Sequence, residues 1–381
     1  MRGKRKEDPP SQRHRCARVE MSSNHSKDRG SDMQVTTYGV DLAKRVFQLH
    51  WVEAQTGEVK RKSLMRGEVS EFFAQREAGI VAMEACGSAH YWARMLKRLG
   101  HQVRLVSAQF VRPFVKTNKT DAADAQAIWE AAQRPEMRFV AVKSEEQQAV
   151  LSLHRLRQQL VKIRTMQALQ IRSLLYEFGV VLPKSWRALL LQAGPYLTDE
   201  TRTGIPQLLR TELLRQLEAL RLLTERIKQL ELALASYRGR LEECRRLEAI
   251  PGIGRLSATA LIATIGEART FRSGREMAAF LGLVPRQSGS GGRVRLLGIS
   301  KRGDPYLRTL LIHGARAVIT HGSRPGRTLD PWISELLRRR PKNVAIVALA
   351  NKMVRIAWAL LAHGRSFDRS WSQAHKPAPA R

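Results

Sequence analysis

The sequence predicts an α/β unit at its N-terminal end, joined through long helices to a mostly α-helical C-terminal region. Three observations carry this reading. Between residues 35 and 106, short apolar runs of strand length alternate with helix-length segments. Residues 145–180 and 207–245 are rich in Leu, Arg, Gln and Glu at helical spacing. Beyond residue 246, glycine-marked turns separate further helix-length segments.

Residues 1–34 are polar, charged and aperiodic, the composition of a disordered basic extension. Met21 and Met33 both offer later starts, so this segment is either a basic arm or an artefact of start-site choice. Val35–Asp41 and Val46–Glu53 read as strands, and Thr56-Gly57-Glu58 turns into a third at Val59–Leu64. Helical spacing follows at Val69–Arg76, then a buried strand at Ile80–Glu84. Ala89–Leu99 is a helix ended by Gly100, Gln102–Val106 a strand, and Ala122–Ala132 a helix. A three-stranded meander followed by alternating helix and strand is a mixed sheet flanked by helices, the pattern of a ribonuclease-H-like fold.

In the second long helical stretch, Leu213, Leu217, Leu220, Thr224, Ile227 and Leu234 follow four-three spacing, interrupted by Glu231. That pattern suits a coiled coil between subunits or a helix pair within one chain. Leu182-Pro183 and the region from Gly194 to Pro206 break the helical run between the two stretches. The third region opens with I-P-G-I-G-R-L-S-A. There Gly252 and Gly254 suit a helix-hairpin-helix-like turn whose free N–H groups can hold a DNA phosphate. A plain turn explains the same glycines. A Gly/Ser-rich loop, Gln287–Gly292, precedes Arg293, Arg295, Lys301, Arg302 and Arg308, with helices expected at Pro305–Ile319 and Asn343–Leu361. The expected division is 1–34 extension, 35–143 catalytic α/β domain, 144–245 helical region, 246–368 C-terminal domain and 369–381 tail.

Charge narrows the function. Lys and Arg number 66 against 34 Asp and Glu, a net charge of +32. Residues 1–33 hold nine Lys/Arg and five Asp/Glu, a net of +4, so +28 lies in the body of the protein. Such an excess repels itself unless it meets a polyanion, which makes nucleic acid the expected partner. Cys16, Cys86 and Cys244 are too few and scattered for a disulfide framework or zinc site, which suggests a reducing cytoplasm. No apolar run approaches the roughly 18 residues of a membrane span, and the N-terminus has no secretory signal core.

Against this basic background, four carboxylates stand out: Asp41 in G-V-D-L-A-K, Glu84 in M-E-A-C-G, and Asp121 with Asp124 in K-T-D-A-A-D-A. Asp121 and Asp124 are three apart on a helix and share a face. An Asp in an apolar strand is costly unless paired or metal-bound, whereas Glu84 can be a solvated strand end and Asp121 a helix cap. Phosphodiester cleavage needs charge neutralised at phosphorus and both reacting oxygens activated. Two Mg²⁺ ions bridged by carboxylates do both.

With these residues go I-P-G-I-G, L-G-L-V-P-R-Q, S-G-G and I-S-K-R-G-D-P-Y-L-R, all in one order. Together they resemble the DEDD insertion-sequence transposases of the IS110 family, particularly its IS1111-type subgroup, over Tyr38 to Phe367. The resemblance implies a RuvC-like nuclease domain, a helical coil and a C-terminal transposase domain. It implies that Asp41, Glu84, Asp121 and Asp124 form a metal-binding tetrad with Mg²⁺ as cofactor. It also implies a catalytic serine five residues after the Pro of G-L-x-P, which is Ser290, with Ser288 as the competing candidate. Many relatives carry two serines before Gly-Gly; here Gly289 replaces the first. The implied partners are donor and target DNA, an element-encoded bridge RNA and further copies of the chain, as dimer or tetramer, in the bacterial cytoplasm at the nucleoid. Gly252, Gly254, Arg286, Arg293, Arg295, Lys301 and Arg308 are the expected nucleic-acid contacts. The other readings are a RuvC-like Holliday-junction resolvase, which uses water and needs no serine, and a catalytically inactive nucleic-acid-binding protein.

Overall fold

The computed structural model describes residues 35–53, 55–115, 120–199, 201, 204–290 and 293–368, with Ser290 described by its backbone alone. The expected extension and tail, and Cys16, Met21, Met33 and Gly292, lie outside the described residues.

β1 (Thr37–Asp41) runs buried through the middle of a mixed sheet because its residues up to Val40 are enclosed on both faces. β2 (Val46–Val52) and β3 (Val59–Met65) complete the antiparallel meander. After α1 (Val69–Ala74), β4 (Ile80–Glu84) lies parallel to β1, with Val40 opposite Met83. α2 (Ala89–Arg98) then leads to β5 (Gln102–Val106), parallel to β4. The sheet order is β3-β2-β1-β4-β5-β6, consistent with the ribonuclease-H-like expectation. β6 (Phe139–Val140) is a two-residue antiparallel strand too short to leave a periodic signal. Between β5 and β6 lie the short α3 (Ala108–Val111) and α4 (Asp121–Ala132). α4 packs across β1 and β2.

The helical region starts with α5 (Glu145–Glu177), whose N-terminus is closed by a reciprocal Ser144–Gln147 capping box. α6 (Trp186–Thr198) follows, then α7 (Gln207–Arg240). α6 departs from the expected break, since it carries Gly194 and Pro195 inside the helix. Leu189, Ala193 and Leu197, four apart, are fully buried in one cluster, and that packing holds the last turn past the proline. The four-three seam is mostly satisfied within the chain: Leu213, Leu217, Leu220, Ile227 and Leu234 are buried, with α7 packed along α5. Thr224 turns its hydroxyl to the Leu220 carbonyl (2.9 Å). Glu231, the interruption, accepts from Arg157 of α5 at 2.6 and 2.8 Å.

The C-terminal region comprises α8 (Glu242–Glu248), α9 (Arg255–Ile265), α10 (Gly274–Phe280), a hairpin, α11 (Pro305–Gly322), α12 (Pro331–Arg339) and α13 (Lys342–His363). The hairpin is β7 (Pro285–Ser290) with β8 (Arg293–Ile299), so residues 287–290, expected as loop, are strand. Backbone pairing with β8 outweighs the weak strand preference of Gly and Ser. α13 has the length and composition of a membrane span, which corrects the expectation that no segment does. Its Ala350, Met353, Val354 and Ala357 form the centre of a protein core, and Lys352 and Arg355 interrupt it.

Candidate active site

Asp41 ends β1 and is half-buried. Glu84 ends the neighbouring β4, one position beyond the Val40–Met83 pair, so the parallel pairing brings both to the same sheet edge. α4 supplies the other two carboxylates. Thr120 is its N-cap, accepting from Ala123 N at 3.2 Å, which leaves Asp121 and Asp124 free of capping duty in the first turn.

The approach of α4 depends on two residues that the sequence reading passed over. A Cβ at Gly39 would meet the Ala125 carbonyl oxygen and lie 2.6 Å from Trp129 Cβ, so only glycine lets the helix settle this close to β1. Trp129 Nε1 then donates to the Thr37 carbonyl at 3.0 Å, tying helix to strand. A lone glycine within an apolar strand, two before an Asp, was the available signal of close backbone approach.

As a result, carboxylate oxygens of Asp41, Asp121 and Asp124 lie within 4.8 Å of one another. Glu84 stands outside that group of three but still acts on Asp41. The Asp41 carboxyl is pushed up to about 6, first by burial and then by Asp124, Asp121 and Glu84, against a hydrogen bond from the Leu42 amide. Among the described residues, no Lys, Arg or His forms an ion pair with any of the four. Carboxylates crowded without a cation repel one another. An all-oxygen donor set of this kind fits a hard divalent ion. Nearby Cys86 fits poorly as a ligand, because burial pushes its thiol up.

Ser290 is the last residue of β7, at the tip of the hairpin, with Arg293 opposite it in the ladder. Ser288, two residues back, lies opposite Arg295, and the strand has an irregularity between Pro285 and Gln287. Arg286, Arg293, Arg295 and Lys301 are exposed. So are Val294 (66%) and Leu296 (63%), leaving much of the hairpin uncovered in the single chain. Arg308 differs from that set: its guanidinium donates to the Leu281 and Arg302 carbonyls at 3.2 and 3.1 Å and braces the base of the hairpin.

The two glycines of the I-P-G-I-G turn also separate. Gly252 has φ +92°, and an added Cβ would lie 2.9–3.0 Å from Met353, Gly314 and Val318, so conformation and packing both require it. Gly254 is the exposed N-cap of α9, with open space around it and no side-chain cap.

Residues 38–179 match a transposase model of the DEDD, IS110 type, and residues 244–329 match one described as Transposase IS116/IS110/IS902 family. A "Probable family 20 transposase" of Pseudomonas aeruginosa is 50% identical over 330 residues, 86% of this chain and 97% of that protein. The transposase for insertion sequence element IS1111A of Coxiella burnetii is 40% identical, over 94% of this chain and 99% of its own length. The IS1328 transposase of Yersinia enterocolitica is also 40% identical, over 88% and 99%. A DEDD transposase domain implies divalent-metal use, which agrees with the acidic cluster on β1 and α4. The chain belongs to the IS110 family of insertion-sequence transposases, enzymes that cleave and rejoin DNA.

Proposed function

We propose that this transposase cleaves DNA at a Mg²⁺ site formed by Asp41, Glu84, Asp121 and Asp124, and transfers the cut strand to Ser290. The observation that carries the reading is the uncompensated crowding of three carboxylates from β1 and α4, with Glu84 beside them. Mg²⁺ bound there supplies charge neutralisation at phosphorus and acidifies an attacking hydroxyl. Asp41 and Glu84, on adjacent strands, fix the floor of the site. Asp121 and Asp124 close it from the helix that Gly39 admits.

The Ser290 hydroxyl loses its proton as its oxygen bonds phosphorus, and the bond from phosphorus to one DNA oxygen breaks. That oxygen leaves as a hydroxyl after taking up a proton. Attack by a DNA hydroxyl on the phosphoserine reverses the exchange, so rejoining needs no external energy source. Arg293 and Arg295, on the strand facing Ser290 and Ser288, suit the charge of the five-coordinate phosphorus.

The family resemblance adds that a bridge RNA selects donor and target by base pairing, leaving the protein to read backbone and shape. It adds that the hairpin of one subunit serves the tetrad of another in a dimer or tetramer at the bacterial nucleoid. The uncovered hairpin supports that arrangement. In this reading residues 35–143 are the RuvC-like nuclease domain, 144–245 the coil and 246–368 the serine-bearing domain. Gly254, Arg286, Arg293, Arg295 and Lys301 are its exposed nucleic-acid contacts, whereas Gly252 and Arg308 act through the backbone they support. The test is cleavage of labelled donor DNA by Asp124→Ala protein. Cleavage should disappear while RNA and DNA binding persist; cleavage at the wild-type rate rejects the metal site.

A further inference from the structure

A cluster of cations lies where α2, the segment before α5, and α5 itself meet, and the site described above does not use it. The Lys143 backbone N–H donates to His90 Nδ1 at 3.2 Å, and the Lys143 Nζ lies 3.2 Å from His90 Nε2. Because Nδ1 already accepts, the imidazole proton sits on Nε2, which leaves no lone pair there for an ammonium. Arg94 packs against the same segment, donating to the Lys143 carbonyl at 2.7 Å. Arg155, exposed on α5, adds its charge to those of Lys143 and Arg94 in the field at His90 and also acts on Lys143. Compensation is thin: Glu145 is 3.7 Å from Arg94 Nε and mostly solvated, and Asp304 reaches Lys143 only through its field. Among the described residues, no carboxylate pairs with Lys143 or Arg155.

An ammonium that faces a neutral imidazole offering no lone pair, in the field of Arg155 and with Arg94 bound to its own carbonyl, is a costly arrangement that an anion would complete. We propose that Lys143, Arg155 and Arg94 form a phosphate subsite for the backbone of the DNA strand held at the carboxylate site. DNA is favoured because His90 sits on the helix that leaves β4 directly after Glu84, so the cluster belongs to the same block as the carboxylates. The choice of polyanion rests on the proposed cleavage site, but the contact itself is tested without cleavage.

The experiment measures binding of the full chain to a short labelled DNA duplex in EDTA across a salt series. It compares wild type, Arg155→Met, Lys143→Met and the double variant. One phosphate contact contributes about 0.9 to the slope of log affinity against log salt. The double variant should therefore bind more weakly at low salt and lose about 3.5-fold less affinity than wild type over a fourfold rise in salt. Arg155→Met alters an exposed side chain and decides the matter alone if Lys143→Met does not fold. An unchanged slope in Arg155→Met and the double variant overturns the subsite, as does weaker binding that follows a lowered melting temperature at constant slope. A slope that falls on single-stranded RNA but not on DNA overturns the assignment to DNA. Because no cleavage is read, failure of the serine or metal assignment leaves this result independent.

Discussion

Replacing Asp41 by Asn should stabilise the metal-free protein while abolishing its cleavage activity. In the folded chain the Asp41 carboxyl rises from 3.8 to about 6, through burial and three carboxylate neighbours. That difference sets an upper bound of about 3 kcal/mol on the cost of ionising it. Asp121 is exposed, so water screens part of the repulsion, leaving on the order of 1–2 kcal/mol. The sign follows from proton binding. Between pH 4 and 6 the folded state holds the Asp41 proton more tightly than the unfolded chain. This residue's contribution therefore falls as pH rises through that window, and the full penalty is present above it. His90 and His154 act in the opposite sense, since burial lowers each from 6.5 to about 4. The informative quantity is thus the difference between wild type and Asp41→Asn, measured by urea unfolding in EDTA at several pH values. The variant should be more stable by about 1–2 kcal/mol at pH 8, with the gap closing towards pH 4. Millimolar Mg²⁺ should then raise the stability of wild type and leave the variant nearly unmoved. An Asp41→Asn protein that is less stable at pH 8 in EDTA, or that gains as much from Mg²⁺ as wild type, would refute the crowded-carboxylate argument.

Two further perturbations test how the site is held. Gly39→Ala should cost about 1–3 kcal/mol by overpacking and should slow cleavage sharply, because the added methyl group pushes α4 and its two aspartates off β1; wild-type unfolding and cleavage curves would contradict this. Glu231→Leu restores an apolar residue to the α7 seam but takes the carboxylate from the Arg157 guanidinium and leaves it the Tyr306 hydroxyl, so it should destabilise; in a double-mutant cycle with Arg157→Leu the double variant should lose less than the sum of the single losses, and additive losses would mean that the pair is not coupled.

The α/β part of the fold was legible in the sequence because its determinants are local. Ile80–Glu84 and Gln102–Val106 are bounded by turn residues and occupy the strands read from the sequence. The carboxylates were legible for a different reason: an ionisable residue at the end of an apolar strand is costly and needs a partner. Long-range packing escaped the reading. Nothing local announces that Leu189, Ala193 and Leu197 hold a helix through Pro195, or that a Gly/Ser-rich segment pairs with Arg293–Ile299. α12 is short and bounded by proline and arginine runs, and it passed unnoticed. The α7 heptads left two pairings open, and the buried leucines lie largely against α5 of the same chain. Gly39 was visible as a residue, but its meaning depends on a helix more than eighty positions away.

If a strand cut at the Asp41 site passes to Ser290, a covalent protein–DNA intermediate must form. Wild-type, Ser290→Ala and Ser288→Ala proteins would be incubated with Mg²⁺, the RNA flanking the element and labelled donor DNA, then resolved on a denaturing gel. A protein-linked DNA strand is expected in wild type and Ser288→Ala and is absent in Ser290→Ala. Cleavage to free ends by all three proteins would contradict transfer to Ser290 and leave a water-using nuclease.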